Sequence, residues 1–320
     1  MRVYITGATG FVGSNVAKLY ADYHKLDVVL AGRKPPERTL PGEFTEVDLL
    51  NPSWVRDSVL AAKPDVIVHS AILNDFPKIY ENRRLGWDSY VTATRAIADA
   101  ANEAGAVLVY VSTDWVFDGT HANSTEDTPP NPVNYYGFLK AAGELVTLER
   151  AHHPIVARIA GVNGVHWAKP TSPRSQDAGF GYFVASLVDT LTAGKPFTVW
   201  ESDTINICAT PSLATESAEM MLRLVKVGAQ GTFHCCGGES VTRMELAQAA
   251  ADVFNLDACL IRTGPPDPAG LPQAPVPRDT SLSASATAAR IDYELPSVRA
   301  LLTEFRRQRE TGQVQQLAPS

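Results

Sequence analysis

Tyr136 and Lys140 stand four residues apart in Asn134-Tyr-Tyr-Gly-Phe-Leu-Lys-Ala-Ala-Gly-Glu144. On a helix that spacing puts both side chains on one face. A phenol ordinarily titrates near ~10, and an ammonium beside it favours the phenolate. Such a tyrosine can give a proton to a carbonyl oxygen while hydride reaches the carbon. Thr113, just after the apolar run Ala106 to Val111, can donate to the same oxygen and hold it. Tyr135 is the competing phenol, but its residue four positions on is Leu139, so it lacks the cation. A Tyr-x-x-x-Lys pair alone is common on solvated helix faces, so the reading needs a fold that gathers these residues and binds a hydride donor.

A second group supplies that binding. Thr6-Gly-Ala-Thr-Gly-Phe-Val-Gly13 follows the strand-like run Val3-Tyr4-Ile5 and precedes a helical pattern of Phe11, Val12, Val16, Ala17 and Leu19. Gly7 allows the tight turn, Gly10 leaves room for a phosphate, and Gly13 lets the helix lie close on the strand. The helix's first N–H groups then face a pyrophosphate. Candidate cofactor contacts are Gly7, Thr9, Gly10, Phe11, Val12 and Gly13, with Ser70 and Ala71 after the fourth strand and Tyr136 and Lys140, the lysine at the nicotinamide ribose. The second strand, Val28 to Ala31, ends in Gly32-Arg33-Lys34. Two cations there suit the 2′-phosphate of NADP, with NAD as the alternative. Asp48 and Leu49, at the end of a third strand from Phe44, are placed at the adenine.

These residues need an alternation of strands and helices. Further strands are expected at 64–69, 106–111 and 155–159, with helices opened by Asn51-Pro52, over 79–104 and over 135–152. That order predicts a parallel, doubly wound α/β Rossmann sheet with its ligands at the carboxyl ends of the strands. Residues 1–162 are read as the dinucleotide-binding domain. Residues 163–310 are read as a smaller interleaved α/β substrate-binding region, some of whose segments return to the first domain, and 311–320 as a frayed tail. Residues 163–178 and the six-proline stretch 264–280 are read as loops. In the second half, helices are expected over 183–191, 213–225, 243–254 and 297–309, and strands over 197–200, 205–209 and 232–236. Thr242 and Glu245 form a capping box.

The chain of 320 residues is 45% hydrophobic and 20% charged, an ordinary globular composition. A net charge of −7 without basic runs argues against nucleic acid or an anionic membrane as partner. Cys208, Cys235, Cys236 and Cys259 show neither metal-ligand spacing nor a disulfide framework, so no metal is expected. No leader or membrane span is expected either, and the location expected is the cytoplasm.

The chain resembles the extended short-chain dehydrogenase/reductase superfamily and, within it, the dTDP-4-dehydrorhamnose reductase family. The glycine turn, Ser112-Thr-Asp-Trp-Val-Phe-Asp-Gly119 and the Tyr136–Lys140 segment carry the resemblance, which is strong over roughly the first 165 residues and thinner beyond. It implies Thr113, Tyr136 and Lys140 as the catalytic trio, with Asp114 as helper, and Arg158, Val162 and Gly164 in the strand leading to the substrate loop. Three departures lie near the implied substrate site: Trp115 where the family has tyrosine, Tyr90 where it has asparagine, and Ser70-Ala71-Ile72-Leu73-Asn74-Asp75 in place of an alanine-rich stretch. Asp114, Trp115, Tyr90 and Ile72 are therefore the substrate-side candidates. The expected function is NADPH-dependent reduction of a ketone, a 4-keto nucleotide sugar or related compound. A nucleotide-sugar epimerase with retained cofactor and a non-catalytic NADP-binding regulatory subunit are the alternatives. A dehydratase would need glutamate where Trp115 stands. The expected partner is the small ketone, and a homodimer is compatible with the sequence.

Overall fold

A computed structural model describes residues 1–171, 175–272 and 274–317. Its first half alternates β1 (Arg2–Thr6), α1 (Phe11–Lys18), β2 (Asp27–Gly32), β3 (Glu43–Glu46), α2 (Pro52–Ala62), β4 (Val66–His69), α3 (Phe76–Glu81), α4 (Arg83–Trp87), α5 (Ala93–Ala104), β5 (Val107–Thr113), α6 (Tyr135–Arg150) and β6 (Pro154–Ile159). The second half continues with β7 (Val162–Asn163), α7 (Phe183–Thr192), β8 (Phe197–Trp200), β9 (Cys208–Ala209), β10 (Ser212–Leu213), α8 (Ala214–Lys226), β11 (Gly231–His234), β12 (Val241–Thr242), α9 (Arg243–Val253), β13 (Ile261–Gly264), β14 (Asp279–Thr280), α10 (Ser285–Arg290) and α11 (Val298–Thr311).

Seven strands form one sheet in the order β11-β6-β5-β4-β1-β2-β3, every neighbouring pair parallel. The order reverses at β1, which has β4 on one side and β2 on the other. The central strands are apolar on both faces because helices cover both. Val3 and Ile5 pack in one layer with α1 and α8, Tyr4 and Ile67 in the other with α2 and α5. β11 and α8 thus come from the second half of the chain. A separate core, built from Phe183, Leu187, Leu246, Leu301 and Phe305, holds α7, α9 and α11 together. The expected capping box is present at the start of α9, Thr242 and Glu245 bonding reciprocally.

Several boundaries differ from the sequence reading. The single helix expected over 79–104 is broken at Asn82, whose side chain accepts from the Leu85 N–H and so caps a new helix. A wide π turn, Asp88–Thr92, then joins α4 to α5. The third strand stops at Glu46, and Asp48 lies in a turn where its own carboxylate accepts from the Leu50 N–H. The fifth strand extends to Thr113. Of 205–209 only Cys208–Ala209 is strand. The tail packs where fraying was expected: Val314 is buried, and the Gln315 side chain donates to Glu304. Residues 172–174, 273 and 318–320, within the two expected loops and the tail, lie outside the described residues.

Candidate active site

The glycine turn divides its glycines between two tasks. Gly7 has φ +70°, and a Cβ there would come within 2.7 Å of the Ala71 backbone. A Cβ on Gly13 would lie 2.3 Å from the Gly7 carbonyl oxygen and 2.8 Å from Ser70 Oγ. Both therefore serve the close packing of α1 on the ends of β1 and β4, where Ser70 Oγ donates to the Thr6 carbonyl at 2.7 Å. Gly10 is exposed and begins α1 with no side-chain cap. Its helix end keeps its N–H groups available to an anion, the arrangement a dinucleotide pyrophosphate requires. Thr9, Phe11 and Val12 are half-buried around it. Arg33 and Lys34 are exposed just beyond β2, and neither forms an ion pair among the described residues. Asp48, Leu49 and Ala71 line the neighbouring strand ends, half-buried, and Ile72 is exposed. These features fit NADP.

The second group gathers at the ends of β5 and α6. Asn134 caps α6, its Oδ1 accepting from the Gly137 N–H at 2.8 Å, and its Nδ2 donates to the Pro275 carbonyl. Gly137 has to lack a side chain, because a Cβ there would stand 2.2 Å from the Trp115 carbonyl oxygen. That contact seats the start of α6 directly on the loop leaving β5. Tyr136 then lies among three rings: Phe76 at 5.1 Å, Trp115 at 5.9 Å and Tyr90 at 6.1 Å between centroids. Tyr135 points elsewhere, its hydroxyl donating to the Arg83 carbonyl at 2.7 Å.

One turn along α6, Lys140 is buried, donates to the Val111 carbonyl at 2.5 Å and lies 4.2 Å over the Tyr110 ring. Burial pushes its pKa down to about 7, opposed by the charge of Glu144. Glu144 accepts two bonds from Arg158, at 2.9 and 2.8 Å, and one from Ser112 at 2.5 Å. This buried pair fastens α6 to β5 and β6. Sequence reading placed Arg158 on a strand, but its pairing with Glu144 was not legible. Thr113 is buried at the β5 end, donating to Asp114 Oδ1 at 2.9 Å and accepting from the Trp115 N–H at 3.3 Å. Burial raises the Asp114 pKa to about 6, against bonds from Thr280 and Thr113.

The substrate-side candidates separate. Trp115 is half-buried between Tyr136 and the loop at Gly179, where a Cβ would meet the indole at 3.0 Å. Tyr90 is buried behind Tyr136, its hydroxyl donating to the Leu73 carbonyl at 3.1 Å. Phe76, which the sequence reading missed, completes the ring cluster from α3, beyond the point where the expected helix began. Arg243 was missed as well. It is buried at the start of α9 and donates to the carbonyls of Asn206, Asp177 and Gly179, which holds the loop opposite Trp115. Among the described residues no group of His, Cys, Asp and Glu could hold a metal ion, and no helix is long and apolar enough to cross a membrane.

A doubly wound parallel sheet with an uncapped glycine turn at its switch point and a Tyr-x-x-x-Lys helix beside it defines an extended short-chain dehydrogenase/reductase. Residues 1–310 match the model of the RmlD substrate binding domain, and the chain belongs to that family. It is 31% identical over 264 residues to methionine adenosyltransferase 2 subunit beta of Bos taurus, an alignment covering 82% of this chain and 74% of the relative. Among solved structures it is similar to a hypothetical dTDP-4-dehydrorhamnose reductase from Sulfolobus tokodaii, with TM-score 0.75, 26% identity and coverage of 93% of this chain and 98% of that one. It also shares its fold with the dTDP-4-dehydrorhamnose reductase of Bacillus anthracis solved in complex with NADP, at TM-score 0.77, 22% identity and coverage of 96% and 99%.

Proposed function

We propose that this protein is an NADPH-dependent reductase of a ketone, with a 4-keto nucleotide sugar or a related keto compound as substrate. The observation that supports the reading is Lys140 buried against the Val111 carbonyl of β5, with Thr113 at the end of that strand and Tyr136 against Trp115 just beyond it, in a sheet that also carries an uncapped glycine turn and the exposed cations Arg33 and Lys34. Bound NADPH would supply the hydride. Tyr136 gives its phenolic proton to the carbonyl oxygen as that oxygen gains charge. Lys140 in its ammonium form favours the resulting phenolate. Thr113 holds the same oxygen once its hydroxyl turns from Asp114. Arg158 and Glu144 act only by holding α6 against the sheet. The names of the reductases similar to this chain support the same reading.

A second reading is a non-catalytic NADP-binding subunit of another enzyme, supported by the relative named as a subunit of methionine adenosyltransferase 2. One experiment separates the two. NADPH is titrated by fluorescence, and its oxidation is then followed with a dTDP-4-keto sugar and with simpler ketones. Binding with ketone-dependent oxidation supports the reductase. Binding without oxidation of any ketone supports the subunit.

A further inference from the structure

The segment Gly164–Lys169 does not stay near the strand it leaves. It follows β6 and β7, and in the sheet β5, β4 and β1 separate β6 from β2. Four strand spacings of about 4.8 Å make roughly 19 Å. Six residues of extended chain reach about that far. The segment does cross: the Ala168 carbonyl accepts from the Arg38 N–H at 3.1 Å, and Lys169 lies 4.0 Å from Glu37, both in the loop after β2. That loop begins with Arg33 and Lys34. Between its two ends the segment passes over the first turns of α1, at the point where the strand order reverses and an open α/β sheet has its ligand crevice.

Its hold on α1 is specific. Asn15 is fully buried; its Nδ2 donates to the Val165 carbonyl at 2.9 Å, and its Oδ1 accepts from Trp167 Nε1 at 3.0 Å. Lys18 lies 5.2 Å over the Trp167 ring. His166 packs edge-on to Phe11, 5.8 Å between centroids, in the same helical turn that carries no cap. His166 is more than nine-tenths buried, and among the described residues its Nδ1 has no hydrogen-bond partner.

We propose that Gly164–Lys169 is a strap forming the outer wall of the dinucleotide site, latched to α1 by Asn15. The proposal rests on the reading that the glycine turn binds NADP(H), but not on ketone reduction. The strap has to lift for the dinucleotide to enter or leave, so the latch sets the release rate.

The test uses the full chain with NADPH and NADP⁺ as probes. Amide hydrogen exchange is measured over 164–169 with and without NADP⁺, and NADPH release is followed by stopped-flow fluorescence. Asn15→Ala removes both latch bonds, and Trp167→Phe removes one while keeping a ring on the strap, which guards against a folding defect in the first. Slower exchange in the strap on binding, with release faster in the variants by on the order of fivefold or more, is the expected result for one or two lost hydrogen bonds. Release at the wild-type rate in every variant that folds overturns the proposal, whatever the exchange shows. Exchange unchanged by bound NADP⁺ also overturns it. A wild-type protein that binds no NADPH sinks both the strap and the reductase, whereas one that binds NADPH but reduces no ketone sinks the reductase alone.

Discussion

Tyr135 and Tyr136 are neighbours in sequence with opposite surroundings. The first bonds the Arg83 carbonyl, while the second sits among Phe76, Tyr90 and Trp115. On the proposed role of Tyr136 as general acid, Tyr136→Phe should keep NADPH binding and lower kcat by about 10²–10⁴-fold. Tyr135→Phe should leave kcat near wild type, and steady-state rates of both variants check the assignment. Arg33→Ala should weaken NADPH binding by about 1–3 kcal/mol, the worth of a hydrogen bond to a charged group, and leave NADH nearly unchanged. Equal losses for the two in titration would count against the phosphate role. Lys140 carries a pH signature. Its pKa is about 7 in the folded protein against 10.5 for an ordinary lysine. Between those values the unfolded chain binds the extra proton, so this group makes stability rise with pH across that window. Urea melts at several pH values should show the rise in wild type and a flatter profile in Lys140→Met.

At the scale of elements, the site depends on how α6 meets the loop leaving β5. The Asn134 cap and the missing side chain of Gly137 let the helix start against the Trp115 carbonyl, so Tyr136 and Trp115 become neighbours. Trp115 is half-buried between Tyr136 and Gly179, where a Cβ would meet the indole at 3.0 Å, in the loop held by Arg243. Trp115→Tyr should leave the melting temperature within a few degrees of wild type. It should also raise kcat/KM for a dTDP-4-keto sugar relative to a less polar ketone, because a phenol replaces an apolar indole face. Measuring both on one variant separates a specificity role from a packing role, which would lower the melting temperature and leave the ratio unchanged.

Across the whole molecule, the Glu144–Arg158 pair ties α6 to β6, and Ser112 adds β5 to the same carboxylate. The Arg158 guanidinium is buried, so removing its partner leaves an uncompensated charge inside the protein. Glu144→Gln should cost about 3–5 kcal/mol of stability in chemical denaturation. Loss of the Glu144 charge, which opposes the effect of burial on Lys140, should also lower the lysine's pKa further. The second half of the chain bears on the same region: β11 extends the sheet beside β6, and α8 packs on α1.

Local pattern was enough for much of this. The glycine turn, the Tyr136–Lys140 spacing, the buried strands and the capping box at Thr242 are all written within short stretches, because backbone freedom, helical periodicity and end-capping act over a few residues. The helix break was legible in principle at Asn82, a capping residue inside an otherwise periodic run. What no local pattern contains is which distant groups meet. The pairing of Glu144 with Arg158, the approach of Phe76 and Trp115 to Tyr136, the reach of Arg243 to the loop at Gly179 and the crossing from β6 to the β2 loop all join residues far apart in sequence. Their meeting is set by strand order and by how the two cores pack. Periodicity says which face of an element is buried but not which partner buries it, and only the tertiary structure makes that choice.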